Sequence, residues 1–512
     1  IEMIDAVGHR LPYQLVCRIF GIPANQDGRD LTPGELLSGV QNLRDNRVDS
    51  DLLPRQRVHS LYSAAEFELT DNLTFRANLL GAQRKFRRDG NVTSFRTARV
   101  PVTNPFYVDP IGTGEPVQVL YSFVNDIGPQ IDDGRVRAIS TSAGLEMALD
   151  GWRVQLGGSH GVQKGKARTR NIVNSARLAL ALADTDPATA FNVFGDGTAN
   201  NPTTIDYIRG SITTIDDFKT WSAALRGDRL PAGDVRLAVG AEYRREAFDY
   251  YRILDSNTLT PVAGPYPGFP GARHVRSIYA EMLLPLFGAD NARPGLHRLD
   301  LTVAGRIEDY NQFGRTENPK FSVRWEPIEG FALRGSYGTS FRAPQFDELV
   351  GPAVSVYSTL SVPDPASPTG ETNVLALFGY APNIQPEKAK SWTAGFDITP
   401  LSMSGLKASV TYFDVDYRDR IGTLAEDYFR FLTDRATFGG VVTDRPPLDL
   451  VQYYYDQPTF SNPINIAAAE VAAILDGRTR NLAREHQKGI DFDIGLAPEV
   501  AGGTLDLGVS GT

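Results

Sequence analysis

Residues 331–342 read FALRGSYGTSFR. Phe331, Leu333, Gly335, Tyr337, Thr339 and Phe341 alternate with Ala332, Arg334, Ser336, Gly338, Ser340 and Arg342. Side chains of an extended chain point to opposite faces with a period of two, so one face of this run is apolar and aromatic and the other small and polar. The same split predicts fourteen strands, over 57–69, 73–88, 136–149, 152–166, 219–229, 234–248, 274–286, 297–309, 317–326, 331–341, 388–398, 405–418, 486–496 and 503–512. Trp392, Ala394, Phe396 and Ile398 alternate with Ser391, Thr393, Gly395 and Asp397. Val235, Leu237, Val239, Ala241 and Tyr243 alternate with Arg236, Ala238, Gly240, Glu242 and Arg244.

The connections alternate too. One set is short and rich in turn residues: Asp71-Asn72, Asp150-Gly151, Pro231 to Asp234, Ile328 to Gly330 and Pro498 to Gly503, with 287–296 somewhat longer. Asp-Gly and Asn-containing pairs close tight hairpins. The other set is long, at 89–135, 167–218, 249–273, 342–387 and 419–485, with a short exception near 310–316. Two apolar, Ala-rich patches inside the long loops, 173–184 and 466–476, read as short helices packed on their own loops.

Soluble sandwiches use strands of about 5–6 residues. The runs here are about twice that, and a tilted strand needs about 9–11 residues to cross a bilayer. Short turns at one end and long loops at the other are the layout of an outer-membrane barrel. The predicted fold is therefore all-β: a transmembrane antiparallel up-and-down barrel with long external loops.

Composition sharpens this picture. Hydrophobic residues make up 41% of 512, and mean hydropathy is −0.25. No apolar run approaches the ~18 residues of a membrane helix, whereas barrel strands are apolar on one face only. A formal net charge of −9, with Lys and Arg dispersed, gives no footprint for nucleic acid. Cys17 is the sole cysteine, so no internal disulfide or thiolate metal site is expected. The opening IEMIDAVGHR lacks a basic start, an apolar core and an initiator Met, so the expectation is a fragment.

Candidate chemistry is sparse. GVQKGKA at 161–167 lacks the spacing of a phosphate loop and the Ser or Thr after Lys. There is no HExxH, no GxSxG and no Cys/His cluster, and the six His are scattered. Asp414, Asp416 and Asp419 end a strand and read as a solvated rim. No enzyme activity, cofactor or metal site is expected. Charge on a lipid face costs ~2–4 kcal/mol at midplane, which assigns Arg236, Arg244, Arg334 and Asp397 to the lumen. Aromatics offer rigid contact area at low entropic cost. This makes loop residues Phe106, Tyr107, Tyr250, Tyr251, Tyr266, Tyr357, Tyr453, Tyr454 and Tyr455 candidates for ligand contact.

Residues 306–344 read RIEDYNQFGRTENPKFSVRWEPIEGFALRGSYGTSFRAP. This stretch resembles the barrel of TonB-dependent outer-membrane receptors. The resemblance falls on Arg306, Glu308, Asp309, Tyr310, Phe313, Gly314, Thr316, Asn318, Pro319, Lys320, Arg324, Trp325, Pro327, Ser340, Phe341, Arg342, Ala343 and Pro344. It continues on Pro386, Glu387, Lys388, Ser391, Thr393, Gly395 and Phe396, then on LKASVTYFDVDYRDRIG and on GIDFDIGL at 489–496. Before residue 306 it rests on pattern and on the phrase Asn104-Pro105-Phe106-Tyr107-Val108.

The resemblance implies a full barrel of about 22 strands around a plug. Loop parity makes 57–69 about the fourth strand, with 1–56 mostly external loop and 57–512 a barrel region incomplete at both ends. It implies location in the bacterial outer membrane, in contact with its lipid. It implies uptake of a bulky, scarce nutrient, most often an iron–siderophore chelate, or else a cobalamin, haem or oligosaccharide. The energy would come from TonB with ExbB and ExbD, acting on an N-terminal plug region not visible in the chain. A passive porin-like channel is the alternative, and a secreted β-rich enzyme or adhesin a third. Within the resemblance, Arg342 and Pro344 read as architectural, shaping the passage from strand to loop.

Overall fold

The computed structural model describes residues 19–43, 50–90, 95–229, 235–350, 355–368, 370–400, 403, 405–424, 427–457, 459–462, 466–500 and 502–512. Cys17, the whole turn at Pro231 to Asp234 and part of the region before residue 57 lie outside these residues.

Fourteen strands form one antiparallel path. They are β1 (Arg55–Thr70), β2 (Leu73–Gly90), β3 (Gln130–Leu149), β4 (Trp152–Val173), β5 (Arg209–Arg229), β6 (Arg236–Asp255), β7 (Arg273–Phe287), β8 (Arg298–Tyr310), β9 (Gly314–Ile328), β10 (Phe331–Arg342), β11 (Glu387–Ile398), β12 (Leu406–Gly422), β13 (Arg480–Leu496) and β14 (Leu507–Gly511). Each pairs with its neighbours in sequence, with β1 and β14 at the two edges, which is the up-and-down order. The tight turns have the expected chemistry: Asp150 and Gly151 both take positive φ, 33° and 79°, as a type I′ hairpin requires. Gly330 turns at φ 81° with the Thr399 carbonyl so close that a Cβ would sit 2.4 Å from its oxygen.

Cross-strand registers sort the side chains into two faces. One is exposed and apolar: Leu79, Ile139, Leu156, Trp221 and Leu225, then Phe321, Val323, Tyr337, Trp392, Ile490, Phe492 and Ile494. No helix among the described residues is long and apolar enough to cross a membrane. An exposed belt of this kind on long strands is the lipid face of a barrel. The other face is polar and joined by side-chain hydrogen bonds and ion pairs, and all four residues assigned to the lumen lie on it.

Three expectations change. First, β3, β4, β5, β6 and β13 run about six to ten residues past the predicted strands, always at the long-loop end. Above the hydrocarbon neither face must be apolar, so the alternation fades while the backbone ladder continues. Second, the run predicted over 503–512 is interrupted: Gly503–Thr504 pairs with Glu499–Val500, and only Leu507–Gly511 joins β13. Third, residues 466–476 are not a helix. They form a 3-10 turn at Ala468–Glu470 and a strand at Ala473–Asp476. The other Ala-rich patch does form a helix, α1 (Ser175–Ala183), capped by Asn174, whose side chain accepts from the Arg177 N–H.

That short strand belongs to a second sheet, built wholly from loops. Its order is Val442–Asp444, Ala473–Asp476, Glu371–Phe378, Val356–Pro363, Phe460–Ser461. Val374, Ala376, Ala473 and Leu475 face a core with Phe431 and Phe438, and Leu375, Leu377 and Ile474 face another with Tyr357 and Val451. Continuous apolar sequence is what a sheet buried on both faces requires. Before β1, Ile22, Leu31 and Leu36 pack against a further loop core of Val100, Phe123, Leu178, Phe191 and Ile208.

Candidate ligand-binding site at the outer rim

The lumen face of β6 changes character along its length. Glu242, Arg244 and Glu246 come first, and Phe248, Tyr250 and Arg252 follow at the same parity toward the long loops. The ionic stretch is fully engaged. Arg244 lies 2.9 Å from Glu246, and Arg306 of β8 bridges Glu242 at 3.1 Å and Glu308 at 2.8 Å. Arg334 and Arg324 both reach Asp397 at 3.1 Å, and Arg334 also donates to Thr411 Oγ1 at 2.6 Å and Ser409 Oγ at 2.7 Å. Arg236 stands exposed at the opposite end of β6, on the same face.

The aromatic stretch lines a cavity of about 530 Å³ with Tyr266, Phe269, Phe346 and Tyr380. Three segments converge there. The chain after β6 folds back so that Val262–Pro265 pairs with Tyr251–Leu254, and the Tyr266 N–H donates to the Tyr250 carbonyl at 2.8 Å. Tyr250 meets Tyr266 edge-on at 5.5 Å, and Phe269 packs 5.1 Å from Phe248. The Arg252 guanidinium lies 4.0 Å from the Tyr266 ring centre, an attractive arrangement for a cation over a π face. The loop after β10 supplies Phe346, 6.0 Å from Phe248. Burial pushes the Tyr380 hydroxyl above its ordinary pKa, with the nearby Asp347 charge acting the same way.

The residues that carried the resemblance hold this wall in place. Arg342 ends β10 and donates to Glu387 at the start of β11 and to both oxygens of Glu348, at 3.0 and 3.2 Å. Glu387, 3% exposed, also accepts from the Tyr417 hydroxyl and, at 2.7 Å, from the Ile421 N–H. Arg273 donates to the buried Pro344 carbonyl at 2.5 Å and lies 4.8 Å from the Phe346 ring centre. Asn318, Pro319 and Lys320 sit in β9, where pairing with β10 starts at Lys320. Proline has no N–H for a ladder, which suits the edge of the paired region. Ala343 is half-buried between Arg342 and Pro344, and Pro386 is buried ahead of Glu387.

The other aromatic candidates divide. Tyr251 projects to the opposite face from Tyr250, and is exposed. Phe106 and Tyr107 pack on the loop core around Val100, Phe123, Leu178, Phe191 and Ile208, the first external unit of the chain, and the Tyr107 hydroxyl donates to the Glu115 carbonyl at 2.5 Å. Tyr453, Tyr454 and Tyr455 lie on a helix, α2 (Leu448–Tyr455), rather than in irregular loop. Tyr454 lies tilted 4.9 Å from the buried Tyr357, and Tyr455 packs 4.0 Å from Phe460, leaving Tyr453 exposed. Phe248, Arg252, Phe269, Phe346 and Tyr380 were missed in the sequence. The available signal was parity: Phe248 and Arg252 share the face of Tyr250.

The first external unit also holds a buried carboxylate. Asp126 accepts from Tyr121 Oη and Asn200 Nδ2, both at 2.8 Å. Burial pushes it up to about 6 despite those two hydrogen bonds.

The sequence matches the TonB dependent receptor-like, beta-barrel family over residues 82–512. Among solved structures, the chain is similar to the siderophore receptor PirA from Acinetobacter baumannii (11% identity, 86% of this chain, 50% of that chain, TM-score 0.44). It is similar to a ferric enterobactin receptor, PfeA, from Pseudomonas aeruginosa (14% identity, 89% of this chain, 51% of that chain, TM-score 0.46). It is also similar to the RagAB peptide importer (10% identity, 87% of this chain, 45% of that chain, TM-score 0.46). The chain spans about half the length of these proteins. With 431 residues matched in a single stretch, this chain belongs to the TonB-dependent receptor β-barrel family, a family of the Gram-negative outer membrane.

Proposed function

We propose that the chain is the barrel part of a receptor that actively takes up a bulky, scarce nutrient, with an iron–siderophore chelate as the leading substrate. The aromatic cavity at the outer end of β6 carries this reading. Six aromatic rings, set where the lumen opens to the loops, with the Arg252 guanidinium and the Asp347 carboxylate in the same wall, suit a bulky chelate with flat aromatic groups. Residues 57–512 would form the barrel region and 1–56 mostly external loop. TonB, with ExbB and ExbD, would act through a plug, and transport would involve no covalent chemistry.

Quenching of protein fluorescence by a ferric catecholate chelate, by haem, by a cobalamin and by an oligosaccharide tests the substrate class. Saturable quenching by the iron chelate alone, lost on Tyr250→Ala, supports the reading. Binding of only another ligand, unaffected by that substitution, overturns it.

A further inference from the structure

The apolar belt of β3 ends abruptly. Its outward positions run from Leu149 through Leu145 to Ile139 and then become Arg137, Arg135 and Asp133. The register carries the change across three strands. Lys85 of β2 lies opposite Arg135, Arg135 opposite Lys166 of β4, and Arg137 opposite Lys164. Like charges directly opposite in a sheet repel one another. The local carboxylates are already engaged: Asp133 by Arg170 at 2.7 Å, and Asp217 by Lys164 at 3.6 Å and Lys219 at 3.1 Å. Lys85, Arg135, Lys166 and Arg168 are exposed and have no ion-pair partner among the described residues. With Arg137 and Lys164 they line a shallow groove of about 700 Å³.

We propose that this groove docks the phosphorylated headgroup of a lipid in the outer leaflet. Guanidinium and ammonium groups bind phosphate oxygens strongly, and a bound anion would relieve the repulsion along the row. Position identifies the source. The cations begin one step above Ile139 and Val162, on the side of the long loops, so acyl chains lie on the apolar belt while phosphates meet the row. The face points away from the lumen, so the nutrient does not pass it.

The test uses the full-length receptor in detergent, mixed with diphosphoryl lipid A, with its dephosphorylated form, or with inorganic phosphate. Native mass spectrometry counts bound lipid, and heat-modifiable gel mobility confirms folding. The expected result is an adduct with the diphosphoryl form only, lost in Arg135→Gln/Lys166→Gln. It is kept in Arg84→Gln/Arg88→Gln, which removes the same charge from the lumen face of β2. If the first variant does not fold, Lys85→Gln/Arg168→Gln replaces it. An adduct retained in a folded groove variant, equal binding of the dephosphorylated lipid, or displacement of the adduct by inorganic phosphate overturns the proposal.

Discussion

Arg342 and Glu387, 45 residues apart, form an ion pair that joins the end of β10 to the start of β11. The loop between them contributes Phe346 to the aromatic cavity and two strands to the external sheet. The pair thus clamps the base of a loop that serves both.

Because Glu387 is buried and receives three donors, its removal leaves Arg342 partly desolvated without its main partner. Glu387→Ala is expected to cost about 2–4 kcal/mol. Glu348→Ala, which removes the partner that Arg342 holds nearer solvent, is expected to cost less, about 1–2 kcal/mol. Urea unfolding of the two variants in lipid vesicles checks the order.

The division into lipid and lumen faces predicts opposite outcomes for adjacent residues of β9. Val323→Arg places a charge on the exposed apolar face and is expected to cost about 2–4 kcal/mol near midplane. Ser322→Arg places it on the polar face and is expected to stay within about 1 kcal/mol. Folding yield into vesicles, followed by heat-modifiable mobility, reads the difference.

In the cavity, Tyr250 and Tyr251 form a second adjacent pair on opposite faces. Tyr250→Ala or Phe346→Ala is expected to weaken chelate binding by about 1–3 kcal/mol, the range for losing a buried aromatic contact. Tyr251→Ala is expected to leave it unchanged. Equilibrium titration with the ferric chelate measures both, and equal losses at Tyr250 and Tyr251 contradict the cavity assignment.

Asp126 gives the first external unit a pH dependence. Its folded pKa of about 6 lies above the ordinary 3.8, so the folded state binds the proton more tightly. Below about pH 4 both states are protonated and the stabilising effect of protonation is fully present. As pH rises toward 6 the unfolded state ionises first, and that stability is lost. After correction for the intrinsic exchange rate, protection of residues 117–127 is therefore expected to be greater at pH 5 than at pH 7, and the contrast should shrink in Asp126→Asn.

Much of this was legible in the chain. Period-two alternation is a local property, so the fourteen strands, their apolar and polar faces and the place of Arg236, Arg244, Arg334 and Asp397 on the polar face follow from neighbours two residues apart. The Asp150-Gly151 turn is equally local, because its residues set their own φ. Tertiary contacts decided the loops. The segment 466–476 has helical composition, yet Val374 to Leu377 offers it a strand to join, and burial on both faces outweighs a propensity of a few tenths of a kcal/mol per residue. The cavity needed Tyr250, Tyr266, Phe346 and Tyr380 brought together from distant parts of the chain. No spacing encodes that meeting, since it depends on where the Arg342–Glu387 clamp and the fold-back after β6 deliver each loop.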